Sequence, residues 1–252
     1  MSTQHGEAGV GARKIGQKKA IRYIILVLAF YIAGAILIFI SRYLLHPNLF
    51  LLILALLMWV CGLGLMFYAA YIAIFNKKIN REIDRAFQGA QAEIKVSEFL
   101  GGLPEGYTVI NDFKCPMGNI DHIILGPTGL FVVETKSHKG IITLSKDEKI
   151  LLHNHLRFEK DVLRQINSQL FWLRDELKNY SGTKAPFIHA VIVFTDATVD
   201  VDKPIKNVSI INKDLLIEHI MTKGSNLDYE DLWRIFNHLI KTRDKLKNNS
   251  NK

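Results

Sequence analysis

"GNIDHIILGPTGLFVVETKSHKG", residues 118–140, joins two aliphatic runs through a Gly-Pro-Thr-Gly turn and places an aspartate, a glutamate and a lysine among strand-forming residues. A turn centred between Pro127 and Thr128 makes Asp121 the direct cross-strand neighbour of Glu134. Their Cβ atoms are then ~4.5–5.5 Å apart on one face of the sheet. Side chains alternate along a strand, so Lys136 shares that face. Like charges placed opposite each other destabilise a hairpin unless something neutralises them. Hard carboxylate oxygens around a shared space suit Mg²⁺ or Mn²⁺, and an ammonium group beside them suits phosphoryl chemistry. An exposed salt-bridged face is the plainer reading, but the aliphatic surroundings argue against full solvation. A one-residue slip in register would turn Asp121 to the other face and remove the cluster.

Around this hairpin the pattern is that of an α/β domain. "AQAEIKVSEFL" reads as a helix ended by Gly101 and Gly102, with Val96, Phe99, Leu100 and Leu103 as its apolar stripe. Glu93 falls three residues before Val96, on or beside the inward face. "YTVIND" is a strand before the hairpin, and "GIITL" and "KILLH" extend the hairpin after it. A long helix spans about Glu159 to Asn179, with Val162, Ile166, Leu170, Leu173 and Leu177 facing inward. "FIHAVIVF", 187–194, reads as a central strand buried on both faces, "VSIIN" as a further strand, and helices close the domain near 213–222 and 228–246. The order α, β, β, β, α, β, β, α, α implies a mixed sheet covered by helices. His122 points away from Asp121 and reads as structural. "HNH" at 153–155 is a solvated strand end, and Trp172 and Trp233 fit the core.

Upstream lie two uncharged apolar runs, 23–40 and 49–75, each long enough to cross a bilayer that needs ~20 such residues. Arg13, Lys14, Lys18, Lys19 and Arg22 precede the first, and Lys77, Lys78 and Arg81 follow the second. By the positive-inside rule both ends are cytoplasmic, at the inner or plasma membrane. Neither run holds an ionisable residue that would mark a transport pathway. The chain therefore divides into a basic cytoplasmic tail at 1–22, the two spans, a linker at 76–88, a domain at 89–246 and a polar tail at 247–252. The net charge of +8 resides mostly in the membrane flanks, because residues 1–87 carry +7. A uniformly basic nucleic-acid-binding body is thereby excluded, and such binding requires a local patch or a metal bridge. Cys61 and Cys115 have no CxxC spacing that would suggest zinc.

Asp121, then twelve residues, then Glu134-Thr135-Lys136 resembles the D-(x)n-E-x-K signature of the PD-(D/E)xK nuclease superfamily. More narrowly, Glu93, the 118–140 hairpin and Arg164-Gln165 resemble the nuclease-related domain (NERD) family. The resemblance implies a restriction-endonuclease-like fold, with the metal held by Asp121 and Glu134 and supported by Glu93. It implies a catalytic role for Lys136 and a positioning role for Gln165, although a glutamine flanking a helix stripe also serves simply as a hydrogen-bonding neighbour. Ile120 stands at the superfamily's proline position, and "EKD" around Lys160 replaces the family's usual "NP".

The expectation is a membrane-anchored, divalent-metal-dependent nuclease acting on DNA or RNA at the cytoplasmic face. Its alternative is a tethered module that binds nucleic acid or protein without cutting. Its partners are nucleic acid and the lipid bilayer.

Overall fold

The computed structural model describes residues 1–43, 49–147, 149–181, 186–224 and 227–249. The segment expected to join the two spans, at 44–48, and the last residues of the expected tail, 250–252, lie outside the described residues. The chain divides into two compact units, one formed by residues 13–87 and the other by 1–12 together with 88–252.

The first unit contains most of α1 (Val10–Tyr43), all of α2 (Leu49–Phe75) and the start of α3 (Lys77–Leu100). Two segments, Val10–Ser41 and Leu49–Ile72, are long and apolar enough to cross a membrane. Gly34 and Gly62 let α1 and α2 approach closely: a Cβ at Gly34 would lie 2.6 Å from the Gly62 carbonyl oxygen, and one at Gly62 2.7 Å from that of Gly34. Small residues at a helix crossing serve this purpose in lipid, where packing rather than water exclusion joins helices. Phe30 and Tyr68 add an edge-to-face contact, with ring centroids 5.7 Å apart.

In the second unit an eight-stranded mixed sheet lies between two helical layers. Its strands are β1 (Thr3–His5), β2 (Thr108–Cys115), β3 (Gly118–Gly126), β4 (Gly129–Leu144), β5 (Leu151–His153), β6 (Leu156–Arg157), β7 (Ile188–Val199) and β8 (Val208–Asn212). Antiparallel β2, β3 and β4 form the meander expected from the sequence, and β4, β7 and β8 run parallel. The long β4 continues through the "GIITL" stretch to pair with β5, while Asn154 and His155, both at positive φ, make the turn into β6. On one face pack α4 (Val162–Ser181) and α6 (Tyr229–Asn249), which bury Ile166, Leu173, Ile235 and Leu239 against Ile123, Val132 and Ile192. On the other, α3 and α5 (Leu216–Met221) bury Val96, Leu100, Leu216 and Ile220 against Ile124, Val133 and Val191. Alternate residues of β7 thus enter both cores, as a strand covered on both faces must.

Two expectations need correction. Residues 1–12, expected to belong to a basic tail, join the folded unit, where β1 pairs in parallel with β2 at the sheet edge. The linker at 76–88, open to a helical or a flexible reading, is helical from Lys77 on, as part of α3, which runs unbroken to Leu100 because no proline interrupts it. Trp233 is 54% exposed and stacks on Phe236 instead of entering the core, whereas Trp172 packs against buried Phe113, ring centroids 6.0 Å apart.

Candidate active site

The hairpin has the register read from its turn: Gly126 faces Gly129, and the ladder runs back to His122 and Val133. There it stops. At the next pair, Asp121 and Glu134, the backbone of β4 is met by a side chain, because the Thr135 N–H donates to Asp121 Oδ2 at 2.7 Å. The β2–β3 ladder also skips a pair at this level, between Asn111–His122 and Phe113–Ile120, where Asp112 sits at φ 50°. A non-glycine residue in that region is strained and persists only where its surroundings hold it. Asp112 Oδ1 accepts from Asn119 Nδ2 at 2.7 Å.

Glu134 is 2% exposed and Asp121 9%. Lys136 Nζ lies 2.6 Å from Glu134 Oε1 and 3.2 Å from Gln165 Oε1, while Gln165 Nε2 donates to that same Glu134 oxygen at 2.6 Å. Gln165, projecting from the first turns of α4, therefore bridges the acid and the ammonium group. Sequence reasoning missed Gln169, one helical turn further on and fully buried, which donates to Glu134 Oε2 at 3.3 Å and to the Asn119 carbonyl at 2.7 Å. The four-residue spacing from Gln165 was the signal that could have found it.

Glu93 joins from α3 and accepts the Gly9 N–H on Oε2 at 3.0 Å. Gly9 has φ 73°, and a Cβ there would meet the Ala90 carbonyl oxygen at 2.5 Å, so glycine alone fits this approach. The N-terminal segment, held also by Gln4 against Ser97 (2.7 Å to its carbonyl), is thus part of the site's wall. It too was missed, since "TQH" has no hydrophobic pattern.

The electrostatics follow from three acids sharing a poorly hydrated space. Burial, with the Asp112 charge behind it, raises Glu93 to about 7, Glu134 adding to the rise while the Gly9 N–H and Lys136 oppose it. Burial, then Glu134 and Glu93, raise Asp121 well above the ordinary carboxylate range. Burial alone would lower Lys136, but Glu134, Asp121 and Glu93 outweigh it and the net shift is upward. Burial lowers His122 to about 3, and its Nδ1 lies 2.8 Å from Asn111 Oδ1 on the sheet's other face. It is a neutral core residue.

Among the described residues, no three His, Cys, Asp or Glu side chains converge as they stand so as to hold a metal ion. Glu134 is instead engaged by Lys136 and the two glutamines. The donor chemistry nonetheless fits a hard divalent cation. The site is oxygen-rich, burial and neighbouring acids make Glu93 and Asp121 hold their protons more tightly than usual, and buried Gln169 Oε1 receives no donor among the described residues.

Glu93 yields a test by pH. Its folded-state value of about 7 lies above the ordinary 4.5, so its contribution to stability is fully present below about 4.5 and is lost as pH rises through 7. Glu93→Gln, which keeps an acceptor for the Gly9 N–H, is expected to remove that slope. The variant should gain up to about 3 kcal/mol over the parent at pH 8 relative to pH 4. Urea unfolding across this range reads the difference, and equal slopes would contradict the buried assignment.

Residues 88–195 match the family described as NERD, nuclease-related domain. No curated protein and no solved structure matches the chain.

Proposed function

We propose that this NERD-bearing chain is a divalent-metal-dependent phosphodiesterase acting on nucleic acid, held at a membrane by its two apolar helices. The observation that carries the reading is the meeting of Asp121, Glu134 and Lys136 on one sheet face where β3 and β4 part, with Gln165 bonded to both Glu134 and Lys136. Asp121 and Glu134 would hold Mg²⁺ or Mn²⁺, with Glu93 beside them. Such an ion would supply Lewis-acid stabilisation of the phosphoryl group and ease deprotonation of water. Lys136, raised above its ordinary range, remains an ammonium at neutral pH and is therefore a hydrogen-bond donor and not a proton acceptor. Its role is to orient the attacking water and stabilise charge developing on the phosphoryl oxygens. Gln165 fixes its position, and the Thr135 N–H pins Asp121.

Attachment to the inner or plasma membrane is supported by the two apolar segments and their basic flanks. The pairing of β1 with β2 supports placing the residues before the first apolar helix and after the second at one face of the bilayer, and the flanking charge favours the cytoplasmic face. A second reading, a tethered module that binds without cutting, draws on one observation: Glu134 Oε1 is already taken by Lys136 and Gln165.

The decisive experiment offers single- and double-stranded DNA and RNA to the purified full chain with Mg²⁺, Mn²⁺ or chelator. Metal-dependent cleavage that disappears in Asp121→Asn is expected. Binding without turnover by the parent protein would favour the module.

A further inference from the structure

The body of the domain is close to neutral, so a polyanion needs a concentrated patch, and one adjoins the site. Helix α4 carries three stripes. Val162, Ile166 and Leu173 enter the core, Gln165 and Gln169 face the carboxylates, and Arg164, Ser168 and Phe171 form an outer row at i, i+4 and i+7. That outer row is one wall of a groove of about 770 Å³, whose other side is built by the segments around Lys149 and Arg157 and by Lys206. Lys149, Arg157, Arg164 and Lys206 are all exposed, and none makes an ion pair among the described residues. Two acids also line the groove, but Asp161 Oδ1 caps the helix by accepting the Arg164 N–H at 3.0 Å, and Glu159 is engaged as well. Phe171 stands 60% exposed beside these cations. Four cations against these two acids leave the lining net positive, and an aromatic face next to net positive charge is a combination that binds single-stranded nucleic acid, whose unpaired bases stack while its phosphates are neutralised. Duplex offers no free base face.

We propose that this groove binds single-stranded nucleic acid leading away from the carboxylate site, with phosphates on Arg157, Arg164, Lys206 and Lys149 and a base stacked on Phe171. Arg164 precedes Gln165 in the chain, so groove and site share one helical turn. The inference rests on the phosphodiesterase reading for what happens to the strand, but not for its binding.

The test is fluorescence anisotropy of a labelled 20-nucleotide oligothymidylate with the full chain in neutral-lipid nanodiscs, without divalent metal and over a range of salt. Arg157→Gln with Lys206→Gln is expected to weaken binding about ten-fold and to flatten the log–log salt slope by about 1.4, two phosphates at ~0.7 each. Phe171→Ala should weaken it about ten-fold without changing the slope and should reduce the preference over duplex. All three residues are exposed, so circular dichroism should not change. Variants that bind the strand as the parent does would overturn the groove assignment. A parent that binds no oligothymidylate overturns the groove and leaves the nuclease to the cleavage assay, whereas binding lost in the variants without Mg²⁺- or Mn²⁺-dependent cleavage leaves the groove standing and removes only the hydrolysis.

Discussion

Lys136→Ala is expected to slow metal-dependent phosphodiester cleavage by roughly 10²–10³-fold, the loss that follows removal of one preorganised donor aimed at developing charge. The ammonium does two things that alanine cannot. It supplies the positive charge nearest Glu134, at 2.6 Å, and it holds Gln165 in line at 3.2 Å. Removing it also leaves Asp121, Glu134 and Glu93 without their internal cation, so on the proposed reading a bound divalent ion would become their main source of neutralisation. Added Mg²⁺ should therefore raise the melting temperature of Lys136→Ala by more than it raises that of the parent. Lys136→Arg, which keeps charge but not shape, should recover part of the stability and little of the rate. A variant that cleaves at the parental rate would remove Lys136 from the chemistry.

Phe113→Ala is expected to cost the sheet-bearing unit about 3–5 kcal/mol, the range for truncating a fully buried aromatic. Its ring lies on the face of the sheet covered by α4, against Trp172, and its backbone pairs with Ile120, the residue preceding Asp121. The cavity would open beneath the carboxylates, beside strained Asp112. Urea unfolding followed by tryptophan fluorescence reads the change, with Trp172 as the reporter in contact. A loss below about 1 kcal/mol would mean that this layer is not close-packed.

The hairpin was legible because its register is set by local chemistry. A turn of fixed length between two aliphatic runs leaves one pairing that buries Ile123 and Val132 on one side and Ile124 and Val133 on the other. Once that pairing is fixed, Asp121 and Glu134 must meet, and Lys136 must follow. Helix α4, expected from about Glu159, starts at Val162, because the Asp161 carboxylate caps it by accepting the Arg164 N–H. What stayed hidden depends on contacts distant in sequence. Gln169 resembles any polar residue beside an apolar stripe until Asn119 and Glu134 are brought to it, and Trp233 has the same spacing whether its stripe faces core or water. The strand at Thr3–His5 carries no periodic signal, since it is held by backbone pairing and by Gln4 against residues of α3 and β2.

That strand sets an order of assembly. Gln4 and its partner Asn111 are 107 residues apart in the chain, with both apolar helices between them. At a synthesis rate of ~5–20 residues per second, the early strand waits roughly 5–20 s on the ribosome's side before its template exists. The edge strand thus precedes its template by two long apolar helices, and its closure onto β2 is possible only once both have been synthesised.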